Sequence, residues 1–268
     1  MVSALMRALI LSDIHANLEA LEAVLAAAEG QWDELWNLGD LVGYGGAPNQ
    51  VLDRIRPLQT LVVRGNHDRV CCGLTSALGF NPVAREAALW THDELTPDNL
   101  AWLKEVPQGP LNPTHEGVSL AHGSPLDEDR YILNIRDAWM PLQQMSTPIT
   151  FFGHTHVQGG FSQNGDQWHE LHTGVPRPST SALGDLFGSR SQAASSTIPL
   201  PPGTRHLINP GSVGQPRDYD WRAAFAIYTS EPATITFHRV PYDLIRAQGR
   251  ILMAGLPERL AARLREGR

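Results

Sequence analysis

Five short clusters in this sequence gather side chains able to hold a cation: Asp13-Ile14-His15, Gly39-Asp40, Gly65-Asn66-His67-Asp68, His122-Gly123 and Gly153-His154-Thr155-His156. All their donors are nitrogen or oxygen. Imidazole mixed with carboxylate suits divalent manganese, iron, nickel, cobalt or zinc, and the absence of cysteine from the clusters disfavours a structural thiolate zinc site. The pattern therefore points to a catalytic metal centre. Residues two apart on an extended strand point to one side, so Asp13 with His15, and His154 with His156, are each expected to reach one ion by strand alternation. Two ions about 3.5–4 Å apart need a bridging carboxylate and can clamp both the attacking and the leaving oxygen of an in-line displacement at phosphorus. Asp40 is the candidate bridge. One such pair alone would be an ordinary strand end; five clusters in order are not.

The elements that must carry these residues follow from periodicity. Ala8–Leu11 is a continuous apolar run of the kind that forms a buried parallel strand, and it ends in polar residues. Asn17 is a helix N-cap, Leu18, Leu21 and Leu25 share one helical face, and Gly30 can end the helix. The grammar repeats. Strands are predicted at Glu34–Leu38 and Leu58–Val63, with a helix after Pro48, and each strand empties into a polar cluster. Alternating strands and helices imply a largely parallel sheet with its ligand crevice at the carboxyl ends.

Further along, helices are predicted over Val83–Glu94, Asp98–Lys104 and Asp137–Gln144, and strands over Gly117–Ala121 and Ile149–Phe152. Asn164-Gly165 marks a hairpin turn. Residues 176–202 are rich in serine and proline without periodicity, and are expected to be an insertion, a lid or a disordered loop. Strands resume near His206–Ile208, Ala223–Tyr228 and Thr234–Val240. Asp243–Arg265 carries two helical segments broken at Gly255-Leu256-Pro257, with Leu252, Leu256, Leu260 and Leu264 expected to dock on the same chain.

Composition removes several classes. The chain has 268 residues, 42% hydrophobic and 18% charged, which is ordinary for a globular protein rather than a disordered or coiled-coil one. It is read as a single domain over 1–268. Lysine and arginine number 21 against 28 acidic residues, a net charge of −7, so there is no general cationic surface for a nucleic-acid backbone. No stretch approaches the roughly 20 apolar residues that cross a bilayer, and no cleavage pattern follows the N-terminal apolar run. The only cysteines, Cys71 and Cys72, are adjacent and do not write a disulfide framework, which fits a reducing, cytoplasmic compartment. They are expected to pack as small hydrophobes, as Trp90, Trp102 and Trp139 are expected to pack on helix faces.

In order and spacing, the five clusters closely resemble the calcineurin-like metallophosphoesterases, over roughly Met6 to Val240, and Asn209-Pro210-Gly211-Ser212 is similar to a segment of the small bacterial phosphodiesterase branch. The resemblance implies a four-layer α/β/β/α sandwich of two mixed sheets. It also implies that Asp13, His15, Asp40 and His156 hold one metal and that Asp40, Asn66, His122 and His154 hold the other, with manganese favoured. His67 then faces the substrate, stabilising the phosphate or protonating the leaving oxygen. Asp68 supports its loop and is grouped with it as catalytic. The implied mechanism is in-line attack by a metal-bridging hydroxide on a phosphodiester, a nucleotide-like ester or a nucleic-acid end, with no membrane and no obligate protein partner.

The sequence departs from the Ser/Thr phosphatase branch, where Gly-Asp-x-Val-Asp-Arg-Gly stands, by reading Gly39-Asp40-Leu41-Val42-Gly43-Tyr44-Gly45. The acidic partner of the substrate-facing histidine and the phosphate-gripping arginine are both missing there. Arg69 and Arg217 could replace the lost charge, and Asn17 is placed with them on the substrate side. Two alternatives stay open: hydrolysis of phosphomonoesters or dinucleoside polyphosphates, and a non-catalytic metal-binding scaffold of the kind a retromer subunit of this family provides. The presence of every ligand position disfavours the scaffold.

Overall fold

The computed structural model describes residues 5–113, 115–177 and 192–268. Its centre is β1 (Arg7–Leu11), which pairs in parallel with β2 (Glu34–Asn37) and antiparallel with β10 (Ala223–Ser230), so that Leu9 lies between Leu35 and Ile227. Being flanked on both sides and covered on both faces is what makes the strand continuously apolar. With β3 (Leu61–Val62), β11 (Ala233–Val240) and β8 (Ala194–Pro199), these strands form a six-stranded sheet in the order β3-β2-β1-β10-β11-β8. A second, five-stranded sheet runs β4-β5-β9-β6-β7, from β4 (Val118–Leu120), β5 (Ile149–Phe151), β9 (Arg205–Asn209), β6 (Gly159–Asn164) and β7 (Gln167–Leu171).

The alternation along β1 sorts the layers. Ala8 and Ile10 point into a core shared with Trp36, Phe151, Tyr228 and Phe237 between the two sheets, where the rings of Trp36 and Phe151 lie 6.1 Å apart. Leu9 and Leu11 point the other way, against α1 (Leu18–Ala27) and α2 (Pro48–Ile55). On the far side of the second sheet, α6 (Ile135–Gln144) packs Ala138 and Leu142 on Phe161 and Leu207. The result is the expected α/β/β/α sandwich. β1, β2 and β3 run parallel, as do β4, β5 and β9, and the chain leaves the carboxyl ends of β1 to β5 into the polar clusters.

The expected helices α4 (Pro82–Glu94) and α5 (Pro97–Glu105) are capped by Asn81 and Thr96 and start on proline, which suits a first helical position because no amide donor is needed there. The hairpin turn falls at Gly165-Asp166, since Asn164 still pairs with Gln167. Elsewhere the structure differs from expectation. The strand predicted over Leu58–Val63 is only Leu61–Val62, because Arg56–Leu58 continues α2 as a 3-10 turn that ends on left-handed Gln59. Part of the 176–202 segment is regular structure rather than loop: 194–199 is the edge strand β8, whose Thr197 hydroxyl lies 2.9 Å from that of Thr236 on β11. Its serine-rich alternation carries too little apolar signal to be read from sequence, and Pro199 is tolerated at a sheet edge. A lid or disorder over 178–191 lies outside the described residues.

The terminal helices α7 (Leu244–Met253) and α8 (Glu258–Glu266) follow α3 (Asn66–Cys71) to α6 in chain order; α7 docks on α1, with Arg246 and Arg250 both on Glu19, and α8 packs on α7. Leu256, Leu260 and Leu264 are buried as expected, whereas Leu252 is half exposed. Cys71 and Cys72 are buried free thiols in the helix-side core, and Trp90 and Trp102 pack against it. Trp139 is instead largely exposed, beside Trp168.

Candidate metal centre

Asp13, His15, Asp40 and His156 place one donor atom each within 4.8 Å of the others, and so do Asp40, His122 and His154. Asp40 belongs to both sets. Its Oδ2 is 3.6 Å from His15 Nε2 and 3.4 Å from His122 Nε2, and Asn66 Oδ1 joins the second set 3.1 Å from His122 Nε2. Asp13 and His15 do meet in one set, though not by strand alternation, whereas His154 and His156, expected on one ion, fall in different sets because each turns to its own cluster. β1 and β5 end before the ligands begin, and Asp13, His15, Asp40, His154 and His156 all have left-handed backbone, with φ between 48° and 65°. Such conformations cost of order 1–3 kcal/mol each and persist only where the surroundings impose them.

Those surroundings are explicit. Backbone amides tie the loops together, from Asp13 to the Gly39 carbonyl and from His15 to the Asp40 carbonyl. The amide of His67 donates to Asp40 Oδ1, and the amide of His154 donates to Asp13 Oδ2. The Asn209-Pro210-Gly211-Ser212 segment is the other clamp. Asn209 Nδ2 donates to the Gly153 carbonyl and to Thr155 Oγ1, and Ser212 Oγ donates to the Asp13 carbonyl. Gly153 has no room for a side chain, because a Cβ there would stand 1.9 Å from Ser12 Oγ.

The donor set fits divalent metals. Each of the four clustered imidazoles has its outer nitrogen on a backbone carbonyl: His15 on Val42, His122 on Leu38, His156 on Gln215 and His154 on Asp129. In a neutral ring, donation outward fixes the tautomer and leaves the inner nitrogen as a bare lone pair. These inner nitrogens face one another, 3.2 Å apart for His15 and His156 and 3.1 Å for His122 and His154. Asp13 Oδ1 is buried without a hydrogen-bond partner. Facing lone pairs and an orphaned carboxylate oxygen in a buried site are what a cation satisfies.

Burial opposes ionisation of Asp13 and Asp40, but neighbouring imidazoles, His156 for the first and His122 for the second, hold both carboxyls below the usual range. Burial drives His15 well below the ordinary imidazole value and, with the charge of His122, takes His154 down to about 3. His122 is the exception. Burial pulls it down, yet the carboxylate of Asp40 lifts it to about 10, so in the metal-free protein this imidazole carries the proton that Asp40 holds.

His67 stands beside the centre, 4.9 Å from the His15 ring and edge-on to it. Burial pushes it down to about 4, with Arg217 adding to this against the pull of Asp40. Asp68 is fully buried and accepts from the amides of Gly65 and Val42, so it supports the loops rather than meeting a substrate. Burial and the charge of Asp40 raise its carboxyl to about 7. Two residues assigned to the substrate side are otherwise engaged. Asn17 is spent as the α1 cap, accepting from the Ala20 amide and donating to the Gly214 carbonyl. Arg69 is bound to Glu128 and Asp129, on the loop whose Asp129 carbonyl meets His154. Arg217 does lie at the site, its amide on the His156 carbonyl.

Sequence reasoning missed two rings. Tyr44 sits 4.6 Å from His15 and 4.3 Å from His67, and Tyr131 stacks on His154 at 4.0 Å. Tyr44 had a signal, its place in the loop after Asp40; Tyr131 had none.

A mixed double sheet with a two-lobed nest of aspartate and histidine at its strand ends defines a metal-dependent phosphoesterase architecture. The model of the calcineurin-like phosphoesterase superfamily domain matches residues 6–231, and the chain belongs to that superfamily. It is 34% identical over 261 residues to the uncharacterized protein MJ0912 of Methanocaldococcus jannaschii, covering 97% of both chains. Among solved structures it is similar to a metallophosphoesterase from Sphaerobacter thermophilus, with 37% identity, a TM-score of 0.79, and 98% of this chain and 100% of that one covered. A hypothetical protein, PH1004, from Pyrococcus horikoshii shares the fold at 17% identity, with a TM-score of 0.74 and 98% of both chains covered. No helix among the described residues is long and apolar enough to cross a membrane.

Proposed function

We propose that this chain hydrolyses phosphoesters at a two-ion centre, acting on phosphodiesters or nucleotide-like esters, with manganese as the favoured metal. The observation that carries the reading is Asp40 Oδ2 standing between His15 and His122, at 3.6 and 3.4 Å, where one carboxylate serves both ligand sets. Asp13, His15, Asp40 and His156 hold one ion; Asp40, Asn66, His122 and His154 hold the other. When bound, such ions supply Lewis acidity toward a phosphoryl group and lower the pKa of coordinated water. The rest is done by the chain. His67, kept neutral near pH 7 by its burial, offers an N–H to a phosphoryl oxygen rather than a stored proton for the leaving oxygen. Asp68 keeps the His67 loop in register, and Arg217 faces the substrate's negative charge. The buried thiols of Cys71 and Cys72 suit a reducing, cytoplasmic setting.

The test is hydrolysis of bis-p-nitrophenyl phosphate and p-nitrophenyl phosphate by metal-stripped protein with manganese, nickel, iron or zinc added back. Metal-dependent cleavage, faster on the diester and lost in Asp40→Asn and His122→Ala, is expected. Faster monoester cleavage would replace the diesterase reading. Ions bound without turnover on either ester would favour the scaffold.

A further inference from the structure

Four arginines near the terminal helices are paired: Arg222 with Asp220, Arg239 with Asp218, and Arg246 and Arg250 with Glu19. Arg259, Arg265 and Arg268 are exposed to solvent. Arg217 and Arg263 are instead half-buried, and they have no carboxylate within ion-pair distance among the described residues, although Asp218 adjoins the first in sequence. Arg217 donates from Nη2 to Gln215 Oε1 at 3.4 Å, while its Nε is buried without a partner. Arg263 donates from Nε to the Arg268 carbonyl and sets its guanidinium over the ring of Tyr44, 5.8 Å from the centroid.

These two cations lie on one flank of the centre, where the Tyr219 amide donates to the Gly267 carbonyl and joins the loop of Arg217 to the end of α8. Burial and then the charge of Arg217 push the Arg263 guanidinium below its ordinary value, as expected of half-buried like charges. Arg217 hangs from the His156 carbonyl, and Tyr44 links Arg263 to both His15 and His67. The loop from Gly39 to Gly45 contributes no cation of its own. Holding two unpaired guanidiniums together without an anion costs free energy, and an anion between them relieves it. Arg263 comes from α8, beyond residues 6–231 that match the superfamily model.

We propose that Arg217 and Arg263 form a subsite for a second phosphate on the substrate, next to the phosphate held at the metal centre. This deepens the phosphoesterase reading and rests on it. The substrate is then a phosphoester with another phosphate one or two linkages from the bond cleaved. The subsite selects it by charge, and Tyr44 is the floor between the two positions.

Two measurements separate the subsite from the chemistry. The first is calorimetric binding of inorganic pyrophosphate to metal-chelated protein. Arg217→Gln and Arg263→Gln should each weaken it about tenfold or more, Arg263→Lys less, and Arg259→Gln on the exposed face of α8 not at all. No binding, or binding indifferent to both arginines, overturns the subsite. The second compares, with metal restored, the p-nitrophenyl ester of thymidine 5′-phosphate with and without a 3′-phosphate. The 3′-phosphate should lower KM about tenfold, and the two KM values should converge in Arg263→Gln. Cleavage of both esters without discrimination overturns the subsite and leaves the phosphoesterase reading intact. Arginine-dependent pyrophosphate binding without cleavage of either ester supports the anion site and defeats that reading.

Discussion

The imidazole of His67 is held against Tyr44 at 4.3 Å between ring centroids, and it fits only because the residue before Tyr44 is a glycine. A Cβ on Gly43 would stand 2.6 Å from His67 Nδ1, and Gly43 has a φ of +88°. Where the phosphatase branch places an acidic residue, this chain has an empty space that the histidine ring fills, with Phe80 on another side at 4.5 Å.

Gly43→Ala should therefore displace His67 rather than restore a partner to it, and Gly43→Asp should do so more. The expected result is a fall of about 10²-fold in kcat on the diester, comparable to His67→Ala, with the metal content unchanged. Steady-state kinetics with metal analysis checks this; full activity in Gly43→Asp would mean that the loop yields freely.

Metal should stabilise the fold as well as activate it, since the centre holds buried carboxylates and facing lone pairs that no protein group satisfies. Adding manganese to chelated protein at about a hundred times its Kd should raise stability by roughly 2.7 kcal/mol per site, read as an increase in Tm. Asp40→Asn should abolish most of that increase, because one residue serves both ligand sets.

Asn209 makes three hydrogen bonds, two to the loop of His154 and His156 and one that shapes its own turn at Gly211. Asn209→Ala leaves buried groups unpaired and should cost about 1–3 kcal/mol per lost partner, measured by urea unfolding. It should also lower metal affinity, although Asn209 is no ligand.

His206 is buried on β9, and burial lowers its pKa from 6.5 to about 4. Above pH 6.5 the ring is neutral both folded and unfolded. As the pH falls from 6.5 to 4, the unfolded chain binds a proton that the folded chain refuses, so stability drops through that window and levels below it. The share of this one group is about 3 kcal/mol at most. His206→Leu should flatten the acid limb of unfolding free energy against pH; an unchanged slope would refute the assignment.

The sequence by itself brought the residues of the candidate centre into view. Asp13, His15, Asp40, Asn66, His122, His154 and His156 were legible because parallel strands deliver their last residues to one edge, and strand ends are marked by apolar runs breaking into polar ones. The four layers were implied by the resemblance those clusters carry, while the periodicity alone gave a largely parallel sheet with helices. Tertiary structure decided how the ligands meet. Left-handed backbone at five of them is imposed by contacts between loops far apart in the chain, and no local propensity announces it. It also decided which candidate residues are free. Asn17 and Arg69 have the right chemistry, but a cap and an acidic pair consume them, and Glu128 and Asp129 lie some sixty residues from Arg69. Arg263 reaches the site only because α7 docks on α1 and α8 folds back on α7. Spacing along a chain records local geometry, whereas the partners that satisfy or free a charge are set by packing between distant segments.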